Sequence, residues 1–190
     1  MKRMLMILTA VLLATLPLSG LCETVSTELP YGMVFGLNVA EVEAMYRSDA
    51  TLAKLTVNKE SYDDGVTTFV FDDAPIPGTQ LVAGSLSLQV DENNSGNAPR
   101  LSMMTFLVNP VTDSIAAFRA ALQALTAAYG APQSDPFGED GVNSYVEWGN
   151  LSALWELGDA RISLSLSRMY QESLSVSYMS CYNYLASDLQ

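Results

Sequence analysis

Paired acidic residues are the first feature of the sequence that could carry chemistry. Of the 190 residues, 21 are Asp or Glu, 9 are Lys or Arg and none is His, so the formal net charge is −12. The lack of histidine excludes a Ser-His-Asp triad, a Cys-His pair and a histidine-ligated zinc ion. Two neighbouring carboxylates could still divide the acid and base roles of a hydrolase. The neighbouring acids are Asp63 and Asp64, Asp72 and Asp73, and Glu139 and Asp140.

The setting of these acidic pairs favours a structural interpretation. Each pair lies beside Gly or Pro in sequence typical of turns, and adjacent residues of a strand point to opposite faces. We therefore assign no catalytic residue and favour a non-enzymatic function. The alternative is an extracytoplasmic, carboxylate-dependent hydrolase that acts on cell-wall glycan.

The segment "DENNSGN" has the spacing of the first half of a calcium loop. Asp91, Asn93 and Ser95 occupy positions one, three and five, and Gly96 occupies position six. Position twelve is Ser102 instead of a bidentate Glu, and the flanking sequence is typical of strands. A polar turn between two strands explains the same residues. A metal site on Asp91, Asn93 and Ser95 is therefore the weaker interpretation, and we expect no cofactor.

Aromatic residues are concentrated in the final third of the chain and are candidates for binding a partner. Tyr and Trp combine a rigid contact area with a polar group, which suits them to interfaces. The segment "NSYVEWG" is interpreted as a strand, which places Tyr145 and Trp148 on opposite faces, so both cannot be buried if one face is exposed. The predicted binding residues are Tyr145, Trp148 and Trp155; the alternative is that they fill a core.

The basic residues are too scattered to form a nucleic-acid site. No run of them could neutralise a phosphate backbone, and no glycine-rich phosphate loop is present. Nucleic acid is therefore not expected as a partner. Beyond Lys2 and Arg3, the basic residues are Arg47, Lys54, Lys59, Arg100, Arg119, Arg161 and Arg168.

The first 22 residues have the pattern of a secretory signal peptide. Lys2 and Arg3 precede an apolar run from Met4 to Leu16. As a helix this run would extend about 20 Å, short of the roughly 30 Å hydrocarbon core of a bilayer. We therefore expect an exported protein with no transmembrane helix in its mature chain.

Whether Cys22 carries a lipid determines whether the mature protein is soluble or anchored to a membrane. Gly20 and Cys22 are small residues at the positions that ordinary signal peptidase requires for cleavage before Glu23. In a lipoprotein signal the small residue directly precedes the cysteine, whereas Leu21 separates Gly20 from Cys22 here. Secretion is favoured, with lipidation of Cys22 and an envelope anchor as the alternative. Cleavage after Cys22 leaves Cys181 alone, so no internal disulfide can form.

Two helices can be placed by their termini. Asn38 and Glu41 have the spacing of a capping box, and Leu37 and Val42 have that of a hydrophobic staple. The second helix runs through "TDSIAAFRAALQALTAAYGAP" and ends at Gly130. Its apolar stripe, which should face a sheet, consists of Ile115, Phe118, Leu122, Leu125 and Tyr129.

Each helix is followed by sequence of period two, as in "GSLSLQV", "RISLSLS" and "ESLSVSYM". Such alternation predicts strands with one buried and one solvated face. "TLAKLTV", "TTFVFDD", "NSYVEWG" and "ALWEL" are also interpreted as strands. "LSMMTFLV", apolar at nearly every position, predicts a central strand covered on both faces or one end of the sheet's core.

The order of these elements predicts an α+β fold. Short connections favour antiparallel pairing, which gives a sheet of about six to eight strands with two helices on one face. Residues 23–190 are expected to form one domain, in which residues 31–109 and 110–190 could be tandem helix-plus-sheet modules.

The segment "FGLNVAEVEAM", from Phe35 to Met45, resembles the Phe-Gly-Met-Thr-x-x-Gln-Val opening of the BamE and β-lactamase-inhibitory-protein-like (SmpA/OmlA-type) modules. "LTAAYGAP", from Leu125 to Pro132, is similar to an element of exported bacterial proteins. The resemblance implies binding of a protein through a sheet face and its loops. We therefore expect a non-enzymatic module that binds a protein or peptide partner in the extracytoplasmic space.

The mature chain is predicted to begin at Glu23 without a lipid, because the cysteine is displaced from the lipoprotein position. Intact-mass spectrometry of the protein exported by its host should give the unmodified mass of residues 23–190. A diacylglyceryl adduct on an N-terminal Cys22 would contradict this prediction.

Overall fold

Period-two alternation produces a sheet of seven strands in the computed structural model, which describes residues 27–91, 100–168 and 171–181. The sheet is antiparallel throughout, and helices accompany it, so the predicted α+β class is confirmed. The strands are β1 (Val57–Ser61), β2 (Val66–Pro75), β3 (Val82–Asp91), β4 (Arg100–Val108), β5 (Asn150–Leu157), β6 (Ala160–Ser167) and β7 (Ser173–Ser180).

Three α-helices interrupt the strands: α1 (Val39–Ser48), α2 (Ser114–Tyr129) and α3 (Glu139–Trp148). Single turns of 3-10 helix occur at Pro30–Gly32 and Leu52–Lys54. Within the described part of the chain, no helix combines the length and the apolar character needed to cross a bilayer.

The start of α1 follows from its capping residues. The Asn38 side chain accepts a hydrogen bond from the Glu41 amide at 3.0 Å, and the Glu41 carboxylate accepts one from the Asn38 amide at 2.8 Å. The predicted capping box is thus confirmed. Val42 is buried and Tyr46 packs on Phe69 and Phe71, which fixes α1 on one face of the sheet.

Helix α2 buries only part of its predicted apolar stripe. Phe118 and Leu125 are enclosed between the helix and the sheet, together with two alanines. Ile115, Leu122 and Tyr129 pack against the core but remain partly exposed. The helix ends at Gly130, whose φ of +84° is unfavourable for a residue with a side chain. Both α2 and α1 thus cover the same face of the sheet.

The strand order β1-β2-β3-β4-β7-β6-β5 joins two antiparallel meanders at their last strands. The first half contains α1 and β1 to β4, and the second half contains α2, α3 and β5 to β7. The junction pairs Met103–Val108 of β4 with Leu174–Met179 of β7. One row of buried side chains runs across it: Phe71, Leu86, Phe106, Val176 and Leu164.

Residues 27–37, which we name the N-terminal strap, connect both halves. The Thr27 amide donates to the Asp159 carboxylate in the β5–β6 turn, with N–Oδ2 at 2.9 Å. At its other end, Gly36 donates to the Leu101 carbonyl at 3.1 Å, and the Leu101 amide donates to Leu37. Leu29 and Met33 between these ends are buried, so the strap contributes to the core.

Three expectations about strands are wrong. "TLAKLTV" forms the 3-10 turn Leu52–Lys54, and the strand begins only at Val57. "NSYVEWG" lies within α3. Strand β4 is central, but helices cover only one of its faces, since Leu107 on the other face is 36% exposed. The apolar character of β4 therefore does not mark a strand buried on both sides.

Replacing Phe118 by Ala should lower the free energy of unfolding by about 3 to 5 kcal/mol, because the side chain is fully buried and its loss leaves a cavity. Gln123→Ala, on the exposed side of the same helix, should change it by less than about 0.5 kcal/mol. Urea denaturation measures both. Equal destabilisation by the two changes would show that Phe118 does not anchor α2 to the sheet.

Candidate functional site

The face of the sheet opposite α1 and α2 is lined mostly by small hydroxyl side chains. Its residues alternate with the buried ones along each strand and are partly exposed. The central row, taken across the sheet, is Val70, Ser87, Thr105, Ser177, Ser163 and Leu154. The neighbouring row on one side is Asp72, Ser85, Leu107, Ser175, Ser165 and Ser152. We name this surface the open face.

The two halves of the molecule meet in the middle of the open face. The Thr105 hydroxyl of β4 donates to the Ser177 hydroxyl of β7 at 3.1 Å. Leu107 lies beside them and is 36% exposed, which is unusual for a large apolar side chain on a central strand. The open face is therefore one continuous surface to which both halves contribute.

The size of the open face suits a protein partner. Seven strands spaced about 4.8 Å apart, with lengths of about 27 Å, give an area on the order of 800 Å². A standard protein–protein interface takes about 800 Å² from each partner. Serine and threonine are short, so fixing them at an interface costs less conformational entropy than fixing Lys, Glu or Gln.

Charge is placed at the margin of the open face. The two rows defined above are uncharged except for Asp72, which lies on β2. On the next row, Met103 and Met179 occupy the centre, while Glu156 and Arg161 on β5 and β6 form an ion pair of 2.8 Å. In a chain with a net charge of −12, this central region is thus neutral.

The three predicted aromatic binding residues do not form one site. Trp155 is 2% exposed on the buried face of β5, and its indole N–H donates to the Gly130 carbonyl at 2.8 Å. It therefore fills the core and satisfies the C-terminal end of α2. Tyr145 is partly buried on α3, with the Arg168 guanidinium 4.1 Å from its ring centre.

Trp148 is 70% exposed and lies on the last turn of α3. Helix α3 buries none of its side chains completely and contacts the edge strand β5. The turn that leads into α3 requires a glycine at position 141, because a Cβ atom there would lie 2.2 Å from the Pro136 carbonyl oxygen. Of the three predicted residues, Trp148 is the one that presents most of its side chain at the surface.

The acidic pairs are exposed and do not converge in an enclosed site. Asp63 and Asp64 lie in the β1–β2 turn, and Asp72 and Asp73 lie along β2. Glu139 and Asp140 begin α3 and, with Asp135, border a shallow cleft of about 490 Å³. Within the described ranges, no cluster of Asp, Glu and Cys side chains has a geometry that would hold a metal ion.

Several predicted residues lie outside the described residues. Among the predicted calcium ligands, Asp91 is the last residue of β3, while Asn93 and Ser95 fall in the segment 92–99. Cys22 also lies outside the described residues.

Cys181 is partly buried, and its thiol lies 3.9 Å from the Leu157 carbonyl oxygen. Burial raises the pKa of this thiol, which favours the unreactive protonated form.

No protein-family model matches the chain, and neither a curated protein nor a solved structure matches it significantly.

The two tryptophans should differ in their contributions to stability. Trp155→Phe should lower the free energy of unfolding by about 1 to 3 kcal/mol, because the Gly130 carbonyl loses its donor. Trp148→Phe should change it by less than about 0.5 kcal/mol and should abolish most of the quenching of fluorescence by iodide. Strong iodide quenching that survives in Trp148→Phe would contradict the placement of both residues.

Proposed function

We propose that this chain is an exported, non-enzymatic module that binds a protein or peptide partner through the open face. The observation that carries the proposal is a neutral, hydroxyl-rich surface that lies in the middle of a strongly acidic protein. A surface that needed only to be solvated would be expected to share the charge of the rest of the molecule. Met103, Leu107 and Met179 add apolar contact area at its centre.

The charge distribution favours a partner with a neutral centre and a basic rim. Three acidic residues of the open face lie near the two edges of the sheet. They are Glu60 on β1, Asp72 on the neighbouring strand β2, and Glu156 on β5. A second copy of this chain would bring its own acidic margin against this one, which costs free energy. A basic rim would instead accelerate association at low ionic strength. The proposed partner is thus a different protein and not a second copy.

Two further points support this function. The resemblance of Phe35–Met45 to the BamE and β-lactamase-inhibitory-protein-like modules implies binding through a sheet face. For the alternative hydrolase, the acidic pair that borders a cleft is Glu139 and Asp140, which line the 490 Å³ cleft together with Asp135. All three are exposed, whereas the two carboxylates of a glycosidase must flank a bound sugar ring from both sides. The geometry therefore supports binding better than hydrolysis.

Photo-crosslinking in the native host tests the proposal. A photoreactive phenylalanine analogue placed at Leu107 should give a covalent adduct of discrete mass with one partner, because this side chain is exposed at the centre of the open face. The same analogue at Thr126, on the exposed side of α2, is the matched control and should give no such adduct. A second change, Ser177→Glu, should reduce the Leu107 adduct at least tenfold by burying an unpaired charge.

Three results would contradict the proposal. An adduct of twice the chain mass would identify a second copy as the partner. Equal adducts from positions 107 and 126 would place the binding surface elsewhere. The lack of any adduct from position 107 under conditions where the host needs the protein would show that the open face has no partner.

A further inference from the structure

A cleft of about 440 Å³ lies on the helix side of the sheet, between the N-terminal strap and α2. Its walls combine proline and tyrosine rings with small residues of the helix. Ala124 and Ala128, one turn apart on α2, leave the space into which larger side chains would project. The aromatic lining residues are Tyr31, Tyr129 and Tyr178.

The rings of this cleft belong to a continuous aromatic series. Tyr31 lies 6.2 Å from Phe106, Phe106 lies 6.4 Å from Tyr178, and Tyr178 lies 6.2 Å from Tyr129, all measured between ring centres. The series crosses the β4–β7 junction, since Phe106 is on β4 and Tyr178 is on β7. The cleft is thus built by both halves and by the strap.

The backbone of Tyr31 is strained where it borders the cleft. Its φ and ψ are 60° and 25°, in the left-handed region that an aromatic residue rarely adopts. The conformation is held by flanking contacts: the Tyr31 hydroxyl donates to the Pro75 carbonyl, and Met33 is fully buried. Such strain persists only where surrounding structure enforces it, and it is concentrated at ligand sites.

The tyrosine oxygens of the cleft can act as hydrogen-bond acceptors. The Tyr129 hydroxyl donates to the Glu28 carbonyl at 2.8 Å, and the Tyr31 hydroxyl donates to the Pro75 carbonyl. The phenol protons of Tyr31 and Tyr129 are therefore committed, while lone pairs on their oxygens remain. Burial raises the pKa of Tyr31 to about 12, so the group stays protonated at neutral pH. The two lining prolines have no N–H.

From this chemistry we infer that the cleft binds the guanidinium group of an arginine side chain in a peptide. Aromatic faces attract a cation, and a guanidinium supplies five donors to the phenol oxygens of Tyr31 and Tyr129. Glu28, which lines the cleft, and the net charge of −12 add attraction for a cation and disfavour an anion. The site is separate from the open face and does not depend on the function proposed for it.

Titration with a short acetylated peptide amide, Gly-Arg-Gly, tests the inference on the purified protein. Binding should be saturable by calorimetry and should shift the ring resonances of Tyr31 and Tyr129. The same peptide with citrulline in place of arginine has the same shape without the charge and should bind about tenfold more weakly or worse. Ala128→Leu should weaken arginine-peptide binding at least tenfold by filling the cleft.

Ala120→Leu is the matched control, because Ala120 is exposed on α2 and does not line the cleft. It should bind the arginine peptide like the parent protein. Equal binding of the citrulline peptide would overturn the cationic specificity. The lack of saturable binding, or equal loss in Ala120→Leu and Ala128→Leu with both proteins folded, would overturn the assignment of the site.

Discussion

The pairing of β4 with β7 is the interaction on which the rest of the structure depends. Without it, each half would be a small sheet with one or two helices and an exposed hydrogen-bonding edge, which is a poor unit for burying a core. With it, Phe106 and Val176 continue one apolar layer under both helices. The same backbone ladder places Thr105 beside Ser177 on the other face. A single junction therefore creates the core, the open face and the aromatic series of the cleft.

Elements of this fold could be predicted where they are determined by interactions between residues close in sequence. The capping box at Asn38 fixes a helix start through hydrogen bonds made within four residues. The alternation in "RISLSLS" fixes both strand and face, because side chains on a strand alternate whatever their neighbours are. The strand order could not be read in this way, since it depends on pairing between residues as distant as Thr105 and Ser177.

The candidate site was harder to predict, because its properties arise only after folding. Trp148 and Trp155 are the same residue type in similar sequence, yet one is exposed and the other fills the core. Helix α3 could not be recognised, because Val142 and Val146 are exposed and the turn before it depends on the close contact of Gly141 with the Pro136 carbonyl. The serines of the open face form no motif. They become a surface only when strands from both halves align.

Residue-level amide hydrogen exchange tests whether the β4–β7 junction makes one cooperative sheet from both halves. Amides of β4 and β7 should exchange only through global unfolding, with the same free energy of opening in the first and second halves. Exchange of the β5, β6 and β7 amides together, at a clearly lower free energy than those of β2, β3 and β4, would show that the two halves unfold separately.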